Sequence, residues 1–182
     1  MNSNVKRLTR IGVIAGLYIA LTYLTYTFSF AEIQVRVAEA LTVLPFIYPE
    51  AVWGVTIGCF ISNIASPFGP IDMILGTSFT LIAALFTRAL AKTKKPHLAP
   101  LPPIIVNAFG VSFYVTTLAG LLGPKGLTIS KIATFPYIFT HFRFLPYITG
   151  VAWIGIGEAI ATYGLGLPLL YTLIRKEKRN EN

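Results

Sequence analysis

The 182-residue chain is poor in charge. Asp, Glu, Lys and Arg make up only 12% of it, about half of the ~25% usual in a soluble domain. It has seven acids, two histidines and one cysteine. With Cys59 alone in an apolar run, a disulfide or a thiolate metal site is excluded, and a small buried hydrophobe is the default reading of that side chain. No H-E-x-x-H motif and no Ser/His/Asp set is present, and His97 and His141 fall in separate polar loops. The phosphate-binding G-x-x-x-x-G-K-[ST] is missing as well, so the chain is not itself an ATPase of that type. No stretch alternates apolar and polar residues for long, which argues against a sheet, and against a membrane barrel of about 10-residue alternating segments.

What remains is apolar: 54% hydrophobic residues and a mean hydropathy of +0.68. About 20 apolar residues cross a bilayer as a helix. The runs predict an all-α integral membrane protein, a compact six-transmembrane-helix bundle forming one membrane domain over residues 1–182. Its helices are expected at about 11–30, 37–48, 51–66, 72–91, 102–123 and 147–174, the second of them short, tilted or partly interfacial. Pro and Gly mark the joints "FIYPE", "SPFGPID" and "KKPHLAPLPP". The basic start and Ser29-Phe30-Ala31 resemble a cleavable leader, but the apolar run is long for one and further spans follow, so an uncleaved first helix is expected.

The net charge of +8 is a matter of topology. Lys6, Arg7 and Arg10 precede the first helix; Arg88, Lys92, Lys94 and Lys95 follow the fourth; Arg175, Lys176, Lys178 and Arg179 follow the sixth. With six spans these eleven of the fifteen basic residues share one side, which the positive-inside rule makes cytoplasmic, together with both termini. No basic patch interleaved with aromatics points to nucleic acid. The long outer segment, about 124–146, mixes aromatics with Lys, His and Arg; a lid over a pocket and an interfacial aromatic belt are both open readings.

Polar residues inside the spans are the candidates for function. Glu158 lies eleven residues past Tyr147, roughly 16 Å deep at 1.5 Å per residue, near the midplane. A carboxylate there marks a functional path or a paired structural site. Asn63 and Asp72 flank the short outer hairpin "NIASPFGPID". Asp72 suits a helix start or a binding role, and Asn63 a hydrogen bond to a ligand or across helices. Glu32, Arg36 and Glu39 share one face if helical, with Glu32 and Arg36 spaced to pair; a self-satisfied ion triad is the bland reading. Gly155, Gly157 and Gly166 do not fit a dinucleotide fingerprint and read as close helix packing. Gly12, Gly16 and Ala20 form a small-residue face on the first helix, which by spacing alone favours packing within the chain.

The elements Arg-x-x-Glu-Ala-Leu-x-x-Leu-Pro (Arg36 to Pro45) and Gly-Pro-Ile-Asp-x-x-x-Gly-Thr (Gly69 to Thr77) resemble the QueT family, and with helix count and topology the likeness runs over about residues 5–175. That resemblance implies an S component of an energy-coupling factor (ECF) transporter in the bacterial cytoplasmic membrane, which takes a queuosine precursor from outside. The implied partners are an EcfT-like transmembrane coupling protein and two cytoplasmic ATPases, with ATP hydrolysed there and no cofactor or metal held by this chain. It turns the face of Gly12, Gly16 and Ala20 toward the coupling protein. A 7-deazaguanine such as 7-aminomethyl-7-deazaguanine brings N–H donors, a carbonyl and a flat ring. Glu39, Asp72 and Glu158 as acids, Arg36 and Asn63 as donors, and Tyr114, Tyr147 or Trp153 as platforms match that inventory. Two alternatives stand beside it: an S component for another vitamin-like molecule, and an intramembrane enzyme using Glu158 with Glu39 as acid and base.

Overall fold

The computed structural model describes residues 3–29, 35–119 and 142–181. Among these residues there are six main helical segments, a single helical turn at Tyr26–Ser29 and no strand. Four are long and apolar enough to cross a membrane: Ser3–Leu24, Asp72–Thr93, Pro96–Leu118 and Phe144–Arg179; Val37–Phe46 and Ala51–Ala65 are shorter. Leu17, Ile57, Phe86, Ile105, Phe109 and Ile156 are exposed on the outside of the bundle, the side-chain chemistry that lipid tolerates and water does not.

The first and sixth helices run past the apolar stretches that mark them in the sequence, beginning at Ser3 and ending at Glu181. Hydropathy locates the part of a helix in hydrocarbon, whereas Lys and Arg are good helix formers and continue the coil beyond it. The sixth also starts at Phe144 rather than after Pro146, because proline is tolerated in a first turn whose N–H groups have no helical partner. Glu32 and residues 120–141 of the long outer segment lie outside the described residues.

The second segment, Val37–Phe46, is a 3-10 helix in which every residue from Ala38 to Phe46 is buried. At about 2 Å per residue its ten residues reach ~20 Å instead of the ~15 Å of an α-helix. The tighter coil thus carries a short chain deeper into the bundle. Runs of this length are uncommon, and this one is held by packing on all sides: Ala38, Leu41 and Leu44 join Tyr18, Val55 and Cys59 in one apolar cluster, and Val43 and Phe46 join Leu170 in another.

Close approaches depend on glycines of the third and sixth helices. A Cβ at Gly54 would stand 2.8 Å from Ile14 Cβ, and one at Gly58 would stand 2.6 Å from Tyr18 Cβ. The first helix therefore docks through its Ile14–Tyr18 face onto a G-x-x-x-G of the third. A Cβ at Gly166 would stand 2.7 Å from the carbonyl oxygen of Ala40, where the sixth helix crosses the 3-10 segment. Gly12 and Gly16 have nothing within 4 Å of an added Cβ, and with Ala20 they are exposed. Among the described residues, the internal packing that their spacing alone favoured is absent, and the first helix makes its contacts through the Ile14–Tyr18 face.

One end of the bundle is polar. Arg10 donates to Glu50 at 2.7 Å and its guanidinium lies 4.4 Å from the centroid of Tyr48, which in turn hydrogen-bonds Glu177. Burial acts to raise the Glu50 carboxyl, but the Arg10 hydrogen bond and the charges of Arg10 and Arg7 outweigh it, so the group titrates below its ordinary range. Arg88 reaches the carbonyl of Phe46 at 3.5 Å, and Lys94, Arg175 and Lys178 line one groove. The three basic clusters of the sequence thus meet at a single end.

Candidate functional site

Toward the opposite end from this polar cluster, the 3-10 segment, the fourth, fifth and sixth helices and Ser29 enclose a cavity of about 20 Å³. Its lining includes Arg36, Glu39, Asp72, Asn107 and Glu158, with Gly76, Thr80, Val111 and Ile154 between them. Three carboxylates and one guanidinium around so small a space is an arrangement that only ligation or a closed polar network sustains in a membrane protein.

The wall from the second to fourth helices is such a network. Arg36 donates through Nη2 to Asn63 Oδ1 and stands 3.9 Å from Glu39 Oε1, one helical step on. Glu39 Oε1 also accepts the hydroxyl of Tyr18, a residue with no exposed surface. Asn63 passes the chain of bonds on, donating through Nδ2 to the Asp72 carbonyl at 2.9 Å, while Tyr114 donates its hydroxyl to Asp72 Oδ1. Cys59 is more than a hydrophobe here: its sulfur accepts from Thr80 at 3.3 Å, from Asn63 at 3.5 Å and from Arg36 at 3.9 Å.

Backbone geometry explains the second sequence element. Asp72–Gly76 is a π turn at the head of the fourth helix. An added Cβ at Gly76 would stand 2.7 Å from Asp72 Oδ1, 3.1 Å from Asn63 Nδ2 and 3.1 Å from the Tyr114 hydroxyl. The glycine of Asp-x-x-x-Gly leaves room for three polar groups to meet over the turn. A second π turn, Ile160–Gly166, begins two residues after Glu158. Wide turns of this kind are frequent at functional sites.

The other wall is sparser. Asn107 of the fifth helix donates through Nδ2 to Glu158 Oε1 at 2.8 Å. Among the described residues, Asn107 Oδ1, Glu158 Oε2 and, across the cavity, Glu39 Oε2 are buried acceptors with no donor.

Of the residues singled out from sequence, Arg36, Glu39, Asp72 and Glu158 come together on the cavity. Asn63 and Tyr114 stand just behind it: Asn63 ties Arg36 to Asp72, and the Tyr114 ring packs near-parallel to Phe79 and edge-on to Phe68. Tyr147 reaches the Phe109 carbonyl at 3.4 Å, and Trp153 is 45% exposed on the outer surface; neither lines the cavity. Which way a membrane aromatic faces depends on helix rotation, which their isolated positions in the sequence do not reveal. Sequence reasoning passes over Tyr18 and Asn107. Asn107 carries the same signal as Asn63, an amide inside an apolar run, and that signal is sufficient to find it.

A family profile described as QueT transporter matches residues 8–175. A curated relative, the "Queuosine precursor transporter QueT" of Lactococcus lactis subsp. cremoris (strain MG1363), is 39% identical over 74 residues, which is 40% of this chain and 43% of that protein. The chain therefore covers less than half of that relative's length. No solved structure matches. Almost the whole chain is covered by the family profile, and both cavity-building elements lie within it: this multi-pass membrane protein belongs to the QueT transporter family.

Proposed function

We propose that the chain is the substrate-binding S component of an ECF transporter, holding a 7-deazaguanine queuosine precursor in the cavity between Arg36, Glu39, Asp72, Asn107 and Glu158. The observation that carries this reading is the convergence of both sequence elements on one buried cavity that also holds acceptors without donors. A guanine-like edge supplies N–H donors for carboxylates and a carbonyl for a guanidinium. The name of the Lactococcus relative supports the same ligand class.

At about 20 Å³ the cavity has room for one water, so a fused ring is admitted only when its walls part. The 3-10 segment and the π turn Asp72–Gly76 contribute to the cavity lining, and irregular coils of these kinds often mark hinges and functional sites. The basic end of the bundle faces the cytoplasm by the positive-inside rule, which turns the cavity outward. ATP is hydrolysed by partner ATPases. The exposed Gly12, Gly16 and Ala20 face docks on the coupling protein, where small residues permit close helix contact.

The test is equilibrium titration of the purified protein in lipid nanodiscs with labelled 7-aminomethyl-7-deazaguanine. Saturable binding well below millimolar is the expected result; its absence overturns the ligand assignment. Gly16→Leu should weaken co-purification with the coupling module and leave ligand affinity unchanged, and undiminished assembly would remove that face from the account.

A further inference from the structure

The two walls of the cavity offer different chemistry. Beside Glu39 stands the Arg36 guanidinium, 3.9 Å away, so that wall presents an acceptor and a cationic donor together. Opposite, Asn107 has committed its amide nitrogen to Glu158 Oε1 at 2.8 Å. Turning the amide over would set Oδ1 against that carboxylate oxygen, acceptor to acceptor, so the hydrogen bond fixes Asn107 Oδ1 as the atom left over. Asn107 Oδ1 and Glu158 Oε2 then form a neighbouring pair of acceptors with no donor among the described residues. Both residues are almost fully buried, at 3% and 5% exposure, and both line the cavity. A buried acceptor without a donor costs about 1–3 kcal/mol, so two of them on hydrogen-bonded residues that line one cavity are suited to a ligand group made only of donors.

We propose that Asn107 and Glu158 form the specificity-determining subsite and take a primary ammonium group, so that the protein selects a cationic, amine-bearing ligand over a neutral analogue of the same ring. The proposal rests on the deazaguanine reading for the ring itself, whose lactam edge then faces Glu39 and Arg36. An alkylammonium has three N–H donors and no acceptor. Two of them satisfy Asn107 Oδ1 and Glu158 Oε2, and the charge meets a carboxylate. The excess of acid around the cavity, Glu39, Asp72 and Glu158 against Arg36, favours a cation in the same sense. A nitrile in that position brings only lone pairs to two acceptors and leaves the carboxylate uncompensated, which is the stronger form of rejection.

The experiment compares 7-aminomethyl-7-deazaguanine with 7-cyano-7-deazaguanine on the full-length protein, wild type and variants, by equilibrium binding. Wild type should prefer the amine by at least about 100-fold. Glu158→Gln and Asn107→Leu should each remove most of that preference, whereas Glu39→Gln should weaken both ligands alike and keep their ratio. Equal affinity of wild type for the two ligands overturns the proposal and leaves the deazaguanine reading standing, and this comparison decides the matter even if a variant does not fold. An undiminished ratio in folded Glu158→Gln overturns it too. Binding of neither ligand to wild type overturns both readings.

Discussion

The wall made by the second, third and fourth helices and the wall made by the fifth and sixth carry acids at similar burial and treat them differently. Glu39 and Asp72 are stitched into a continuous set of bonds through Arg36, Asn63, Tyr18 and Tyr114. Among the described residues, Glu158 has a single side-chain partner, Asn107, and the two retain one acceptor each without a donor. The first network leaves one acceptor without a donor among the described residues, Glu39 Oε2, and otherwise fixes shape; the Asn107–Glu158 pair, with an open acceptor on each member, holds binding capacity in reserve. Under the proposed function, the first wall holds the fold and the ring, and the second reads what the ring carries.

The largest effect should come from cutting the first network at its centre. Asn63→Leu removes one acceptor of the Arg36 guanidinium and the donor to the Asp72 carbonyl. Leaving a buried group without its hydrogen-bond partner costs about 1–3 kcal/mol, and more when the group is charged, and two groups lose one here, so thermal unfolding in detergent should fall steeply or the protein should fail to accumulate. Unchanged unfolding would show that the network is not what holds this wall. Gly76→Ala comes next: its Cβ meets Asp72 Oδ1 at 2.7 Å, and overpacking of that kind costs about 1–3 kcal/mol. Its unfolding temperature and ligand affinity should both drop.

On the open wall the paired replacement Asn107→Leu/Glu158→Leu should change stability little. Exchanging both members of a buried polar pair for apolar groups is often neutral or stabilising. Ligand binding should nevertheless be lost. A large loss of stability here would erase the contrast between the walls. The smallest effect lies at the polar end. The Glu50 carboxyl is held below its ordinary range by Arg10 after burial has acted the other way. A group depressed in the folded state adds stability that is present above its unfolded value, near 4.3, and is lost as pH falls through the folded value. Glu50→Gln should therefore lower stability slightly at neutral pH and flatten the acid side of the pH profile; an unaltered acid limb would contradict the clamp.

Much of this architecture was legible in the residues, and the limits are physical. Six apolar runs and three basic clusters are one-dimensional signals, and they lead to six helical segments with those clusters at one end. The 3-10 coil of Val37–Phe46 is not such a signal, because a segment buried on every side has no amphipathic period to read. Arg36, Glu39 and Asp72 stood out as charges in apolar sequence and line the cavity. Asn107 is passed over although it carries the same signal as Asn63; what the sequence does not show is its pairing with Glu158, 51 residues away. The small-residue face of the first helix was visible, but the glycines that admit that helix, Gly54 and Gly58, belong to its neighbour. Spacing shows that a face is smooth, not what lies against it.

The most direct test of the central claim, that the buried cavity is the ligand site, is one affinity series for 7-aminomethyl-7-deazaguanine. It compares wild type, the double variant Glu39→Gln/Glu158→Gln and the outward-facing Trp153→Ala, each checked for a monodisperse fold. The account expects at least about a 100-fold loss in the double variant, equivalent to the ~2.7 kcal/mol that two charge-assisted hydrogen bonds supply, and affinity within about twofold of wild type for Trp153→Ala. Full affinity in the folded double variant would place the ligand elsewhere and contradict the account.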